Sequence, residues 1–458
     1  MRDIYPYRVI TPSCVVNWRK HKAIVFQSDD WGLCGWVSNR DVYKKLHIND
    51  NFLKKIERRG LQLLKSTLES PDDMDNLLAV LKKHKGGDGK CPVFQAAYVL
   101  SNPDYEAIEK SGFKSYKDLV IPQVPSLWER GDFVAKAKEG MKIGIWHPTY
   151  HGNTHFNPIR WMELLKNGHR GVRKTFKFQS FIHDEIESQK EVNSEFSEKL
   201  SYDQQKKLIE LGIQRFKEVF GYTPKSAIAP NYVWQIKTEK ALSENGIRVI
   251  QGKNYQMLRR RFFDKVRGKV INLMGKKSAD KIWQIKMGDY NPCLDITYLT
   301  RNVDFEPRGN PEPDNPFGAE RAYRKILDAW SNNEPAVIST HRINYVYLDE
   351  RWVEENLKQL DELLSKIQTN YPEAVYLTDW EVAQLYRNGT SVTQFGEAIV
   401  CRNYTSSKRT FKVEIPQGYR VKDVQNLRSK ECLNFTLRDN VLTFTADEGD
   451  YQVNLQKE

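Results

Sequence analysis

His21-Lys-Ala-Ile-Val-Phe-Gln-Ser-Asp-Asp30 is a short apolar run that closes on two adjacent carboxylates. That is the form of a buried strand carrying functional groups at its C-terminal end. Outward from it the pattern repeats. Further short apolar runs occupy 93–100, 142–146, 226–229, 248–250, 336–339 and 374–377. Helical patterns lie between them: 73–83, with Leu77, Leu78 and Leu81 on one face, then 202–220, 319–330 and 351–368. Strands alternating with helices of this length imply parallel β/α units. Seven such runs over about 380 residues predict an α/β barrel, complete or imperfect.

After Arg387-Asn-Gly389 the helical period stops, and 409–415 and 441–445 alternate with period two. The chain therefore divides into a (β/α) barrel over 1–387 and a small antiparallel, β-sandwich-like domain over 388–458. The second part holds no cluster that could do chemistry, and packing or glycan contact is its expected role. A segment with four prolines, 306–318, reads as a loop near the strand ends. No internal repeat is present.

The chain has 458 residues, 40% hydrophobic and 12% aromatic, which excludes disorder and short polar solenoids. Its formal charge of +12 is concentrated. Eleven Lys and Arg stand against Asp264 and Asp280 between 253 and 286, inside a basic insertion at about 252–290. The remainder is close to neutral, so a nucleic-acid surface is not expected. Leu258, Phe262, Phe263, Val266, Val270 and Leu273 interleave with those charges. A solvated insertion explains the segment as well as peripheral contact with an anionic membrane or an acidic glycan does. Six scattered cysteines without a C-x-x-C pair fit reduced thiols rather than a disulfide framework. The first ten residues have no apolar signal region, and no run is long enough to cross a bilayer. Together these predict a cytoplasmic protein, working in solution or at the inner membrane face.

Three expected strand ends combine His and Asp: Ser28-Asp29-Asp30-Trp31-Gly32, Trp146-His147-Pro-Thr-Tyr-His151-Gly-Asn-Thr-His155, and Ser339-Thr340-His341-Arg342. In a parallel barrel these ends share one face. Adjacent carboxylates there need a cation or a shared proton to relieve their repulsion. Two imidazoles and one carboxylate form a common catalytic metal set with positions left for water and substrate. Taken singly, Asp29-Asp30 reads equally as a solvated turn or a helix N-cap, and His341 as structural. The other histidines (21, 47, 84, 169, 183) have no such company.

In order, Ser-Asp-Asp-Trp-Gly, His-Gly-Asn-Thr-His, Ala229-Pro-Asn-Tyr232 and Ile338-Ser-Thr-His341 resemble the motifs of the polysaccharide deacetylase family, the NodB-homology domain of carbohydrate esterase family 4. The resemblance spans about 20–385. It implies a distorted (β/α)7 barrel and metal-dependent hydrolysis of an N-acetyl, less often O-acetyl, group on a sugar. By position it makes Asp29 the general base and Asp30, His151 and His155 the ligands of a divalent metal, zinc first, with Co, Ni, Mn or Mg as alternatives. It makes His341 the general acid and places an oxyanion-binding backbone N–H near Pro230.

The departures are specific. Ile228 stands where the family has the Arg that orients the base, and Asn231 where it has Tyr. Arg301 and Arg342 are the candidate replacements for that Arg. His147 and His151 offer a competing ligand pair at the same i, i+4 spacing, with the 151/155 pair closer to the family's interior. His147 then becomes a substrate contact. Trp31, Tyr232 and Trp234 are candidate sugar floors or core aromatics, and Pro230, Asn231, Arg301 and Arg342 complete the expected substrate side. Two other readings remain: a glycan-binding barrel that keeps the metal site without turnover, and a C–N hydrolase of a small non-sugar molecule.

Overall fold

Strand β1 (Ala23–Trp31) is buried along almost its whole length, as a strand flanked on both edges and covered on both faces must be. Its neighbours arrive from opposite ends of the chain. On one side β2 (Phe94–Tyr98) runs parallel to it. On the other, residues 336–341 pair with residues 24–29, again in parallel. The computed structural model that shows this describes residues 9–46, 65–183, 189, 191–197, 199–253, 285–395 and 398–458. Apart from Lys253, Ile285 and Lys286, the basic segment 253–286 lies outside the described residues, as does His47.

The sheet continues from β2 to β3 (Trp146–Tyr150), β4 (Ser226–Ile228), β5 (Val249–Gly252) and β6 (Ile296–Thr300), every pair parallel. The chain then bends at Arg301-Asn302, and β7 (Val303–Asp304) pairs with β8 (Ala336–His341), which returns to β1. The bent segment 296–304 thus serves two neighbours and closes the ring through a kink rather than a straight strand. The result is a distorted seven-position (β/α) barrel, as expected.

Two rib assignments differ from the sequence reading. The third strand is 146–150, not 142–146: Lys142 ends the helix Phe133–Lys142, and Gly144 turns the chain at φ 75°. The run at 374–377 contributes only Val375–Tyr376, paired to Ala23 and Ile24 at the start of β1, and 296–304 supplies the seventh position.

The covering helices start where local chemistry dictates. Pro71–Lys82 has Pro at its first position and a reciprocal Ser70/Asp73 capping box, and it buries Met74, Leu77, Leu78 and Leu81. Tyr202–Phe220 opens on a Ser201/Gln204 box and stops at left-handed Gly221. Ala319–Ser331 and Glu350–Asn370 complete the expected set. No described helix is long and apolar enough to cross a membrane.

Residues 390–457 form two antiparallel sheets. Thr390–Phe395, Ala398–Asn403, Gly449–Lys457 and Tyr419–Asn426 make one, and Arg409–Glu414, Val441–Ala446 and Phe435–Arg438 the other. A core of Ile399, Phe411, Val413, Val424, Phe444 and Val453 lies between them. Arg402 ties this part to the barrel. Its guanidinium is 1% exposed and meets Asp88 at 3.0 Å, Glu381 at 2.9 Å and Asp450 at 2.7 Å.

Candidate active site

In a regular strand, neighbouring side chains point to opposite faces, so Asp29 and Asp30 could not both reach one mouth. The β1–β2 register shifts between Ser28 and Trp31, and Asp30 sits at φ 74°, a left-handed conformation unusual for a non-glycine residue. This bulge turns both carboxylates into the same cleft. Gly32, at φ 77°, completes the turn, and a Cβ there would press on the Val99 carbonyl.

Asp29 is 4% exposed and is gripped by Arg301, whose Nη1 and Nη2 reach its two oxygens at 2.6 Å each. Arg301 comes from the bend between β6 and β7, across the barrel. Its remaining donors go to Gln27 (2.9 Å), Gln251 (3.0 Å) and Tyr232 (3.2 Å). Burial alone would raise the Asp29 pKa, but the guanidinium charge and its hydrogen bonds outweigh that and hold the carboxyl below its ordinary value.

Beyond the end of β3, His151 and His155 face Asp30, with Nε2 to Oδ1 distances of 3.3 and 3.4 Å. His151 Nδ1 lies 3.0 Å from the Ile228 carbonyl, which can only accept, so Nδ1 carries a proton and Nε2 is the nitrogen that faces Asp30. His155 Nδ1 is buried with no partner among the described residues. Asp30, His151 and His155 offer ligand atoms within 4.8 Å of one another, the only such His/Cys/Asp/Glu group among the described residues. Facing acceptors repel unless a cation or protons lie between them. A tetrahedral ion with bonds of about 2.0–2.1 Å spaces its ligands about 3.3–3.4 Å apart, so the donor set fits a divalent metal. Burial raises the Asp30 pKa, yet the two imidazoles draw it well below the ordinary range.

The ligand loop is shaped by a residue with no sequence signal. Glu195, fully buried, accepts the backbone N–H groups of Asn153 (3.0 Å), Thr154 (3.1 Å) and His155 (3.0 Å). Successive amides folded around one carboxylate form an anion nest. Burial pushes Glu195 up to about 7 against the pull of those amides. A Cβ on Gly152, at φ 95°, would overlap Glu195 Oε2, so the loop admits only glycine there. His155 is itself left-handed at φ 65°.

His341, at the end of β8, is 34% exposed in its side chain. Its Nε2 lies 3.8 Å from Asp29 Oδ2, and its Nδ1 lies 2.5 Å from Glu306 Oε1. Asn344 holds the other Glu306 oxygen at 2.5 Å. Burial disfavours the imidazolium, but Glu306 first and the two aspartates after it raise the His341 pKa well above its ordinary value. Glu306 heads the proline-rich loop, just past β7. The signal for it was an acid at a strand end, hidden because 296–304 did not read as a strand.

The expected substrate side is split by the structure. Tyr232 is half-buried beside Arg301, and Pro230 packs near Gly152. Asn231 is exposed, its side chain donating to the Asn193 carbonyl at 2.6 Å. Four residues lie elsewhere. Trp31 is fully buried against Phe94 and Trp146, with its indole N–H on Ser28 at 2.9 Å. Trp234 is likewise buried and donates to Glu239 at 2.8 Å. Arg342 turns inward to Glu69 (2.8 Å) and the Leu33 carbonyl (2.9 Å), away from Asp29. His147 sits at the start of β3, packed near Tyr222 and Phe395, at the opposite end of the barrel from His151. The four-residue displacement of β3 is the reason: it puts His147 within the strand and His151 just beyond it.

No family model and no curated protein matches the chain. Solved structures give distant likenesses. A Mycobacterium smegmatis protein provisionally assigned as a polysaccharide deacetylase is 12% identical, covering 82% of this chain and 95% of its own, at a TM-score of 0.38. The 4-α-glucanotransferase of Thermococcus litoralis is 12% identical, covering 79% and 40%, at 0.37. The Xyl-CE4 domain of a xylanase from the hindgut metagenome of Trinervitermes trinervoides is 8% identical, covering 81% and 93%, at 0.32. Identities and TM-scores this low leave the chemistry to be argued from the side chains alone.

Proposed function

We propose that this protein is a metal-dependent hydrolase that removes N-acetyl, or O-acetyl, groups from a carbohydrate. One observation carries the reading. Asp30, His151 and His155 converge as a three-ligand set between a carboxylate held ionised by an arginine and an imidazole held protonated by a glutamate. A pair of titratable groups pushed apart in this way is the signature of a base and an acid serving one reaction. The ordered motifs support the sugar as the bearer of the acetyl group. Asp30, His151 and His155 would hold a divalent cation, with zinc the first candidate for a nitrogen-rich tetrahedral set. When bound, it would polarise the acetyl carbonyl and acidify the attacking water.

The protein's own residues do the rest. Asp29 accepts the water proton as the new C–O bond forms and the carbonyl electron pair moves to oxygen. Arg301 fixes both Asp29 oxygens, so the base neither rotates nor protonates while it waits. His341 Nε2 delivers a proton to the nitrogen as the C–N bond breaks, leaving acetate and a sugar amine. Glu306 on Nδ1 fixes the ring and its tautomer. Arg301 also supports turnover over a binding-only barrel, because it stands on the base where Ile228 leaves no partner. Contact with an acidic glycan or membrane through 253–286 remains part of this proposal.

The test combines elemental analysis with acetate release from a panel of N-acetylated glycans, in wild type and His151→Ala. Metal lost in the variant and acetate released only by wild type is the expected result. Bound metal with no acetate from any glycan would sink the catalytic reading and leave the binding barrel. No metal in either protein would sink both.

A further inference from the structure

Among the described residues nothing accepts the phenol proton of Tyr232. Arg301 Nη1 lies 3.2 Å from its phenol oxygen. A guanidinium has no acceptor, so the direction of that bond is settled: the phenol oxygen accepts. The phenol proton must point elsewhere, and no other bond of this hydroxyl occurs among the described residues. Accepting from a cation also makes the phenol a stronger donor. The same Nη1 lies 2.6 Å from Asp29 Oδ2, so the phenol oxygen and the base share one guanidinium nitrogen.

The backbone here cannot serve in its place at every position. The Tyr232 amide donates to the Ala229 carbonyl at 2.9 Å and the Val233 amide to the Pro230 carbonyl at 3.2 Å. Pro230 has none. Nor is the placement of the phenol casual. Asn231 and Tyr232 are consecutive non-glycine residues in the left-handed region, both at φ 56°. Such residues are strained and persist where surrounding contacts over-determine them. The Asn231 bond to Asn193 and the Tyr232 amide bond to Ala229 supply those contacts. The resulting turn brings the ring within 5.5 Å of Lys253 Nζ and 5.9 Å of Arg301 Cζ, so the hydroxyl opens into cationic surroundings.

We infer that Tyr232 is a catalytic residue whose O–H donates to the acyl oxygen as that oxygen gains negative charge during attack. The inference rests on the deacetylase reading above. The carbonyl electron pair moves to oxygen when water adds, the phenol O–H stabilises it by a hydrogen bond, and the pair returns when the C–N bond breaks. The phenol proton stays on Tyr232 throughout.

Tyr232→Phe keeps the ring, its cation contacts and the strained turn, and removes only the hydroxyl. Loss of one oxyanion donor costs about 10²–10³ in kcat. The variant should therefore lose about that much kcat, with KM within about threefold of wild type. A ring that merely floors a sugar would leave kcat alone, and that outcome overturns the proposal. A second measurement does not depend on turnover. Calorimetry on the metal-loaded protein compares N-acetylglucosamine with its N-methylphosphonyl counterpart, a tetrahedral anionic mimic of the attacked group. Tyr232→Phe should weaken the mimic at least tenfold and the acetyl compound less than threefold. Equal effects on both, or none, overturn the donor role. If wild type releases no acetate at all, the functional reading fails on that result, while calorimetry still decides the donor.

Discussion

Replacing Arg301 by Met is the perturbation that most directly probes the electrostatics of the site. The side chain is fully buried, and so is its partner Asp29, at 0% and 4% exposure. Removing one member of a buried ion pair leaves an uncompensated charge and costs about 3–5 kcal/mol. Asp29 can avoid that cost by taking up a proton, since a desolvated carboxyl without a cation rises by up to about 3–5 pKa units. The two escapes have opposite pH signatures. In wild type the Asp29 pKa is depressed, so its contribution to stability is present above the unfolded value near 3.9 and is lost as pH falls through the folded pKa. In the variant its pKa is raised, so the contribution is present below about 3.9 and is lost as pH rises through the new folded value. The stability difference between the two proteins should therefore widen from pH 5 to pH 8, by about 1.4 kcal/mol per unit until Asp29 ionises. Urea denaturation at several pH values measures it. A difference that is independent of pH, or below about 1 kcal/mol throughout, would refute the claim that Arg301 holds Asp29 ionised.

Three further outcomes follow from other contacts. Glu306→Gln removes the leading cause of the raised His341 pKa, so the alkaline limb of the pH–rate profile should move to lower pH; an unmoved limb would show that Glu306 does not tune His341. Gly152→Ala should drive the ligand loop off Glu195, and equilibrium dialysis should then show metal affinity weakened by about 10–100-fold, the range seen when groups behind metal ligands are lost. Glu239 is pushed up to about 7 by burial, so its share of folding stability should fall by about 3 kcal/mol as pH rises from about 4.5 to 7, beside the like contribution of Glu195; Glu239→Gln should make that slope shallower in calorimetric unfolding.

How much of this was legible beforehand depended on whether neighbours in sequence were also neighbours in space. Asp29, Asp30, His151, His155 and His341 announce themselves because barrel strand ends bring short motifs to one face, and those motifs are intact in the chain. The pairing of Arg301 with Asp29 was only one of two open candidates, since nothing in the sequence distinguishes an arginine that crosses the barrel from one that turns under it, as Arg342 does toward Glu69. Trp31 and Trp234 read equally as sugar floors or as core; each indole found its hydrogen-bond partner inside the protein, on Ser28 and Glu239. Glu195 had no signal at all, because it acts through three main-chain amides of a loop 40 residues away and lies in irregular chain. The kinked rib at 296–304 was masked by its two short halves, neither long enough to display alternation.

The pairing of Ile24 with Ala336 has a consequence in time. During synthesis the first rib of the barrel emerges before the others, and β2 can flank it soon after. Its other edge stays open until roughly 300 further residues have followed. A ring whose closing contact spans so much chain carries a large loop-closure entropy and folds slowly for that reason. Until β8 arrives, the nascent protein displays an apolar strand edge ending in two acids, a surface suited to holdase chaperones and to self-association at high expression. Yield of native protein should then depend more on the rate at which the ribosome delivers residues 336–341 than on the stability of the finished barrel.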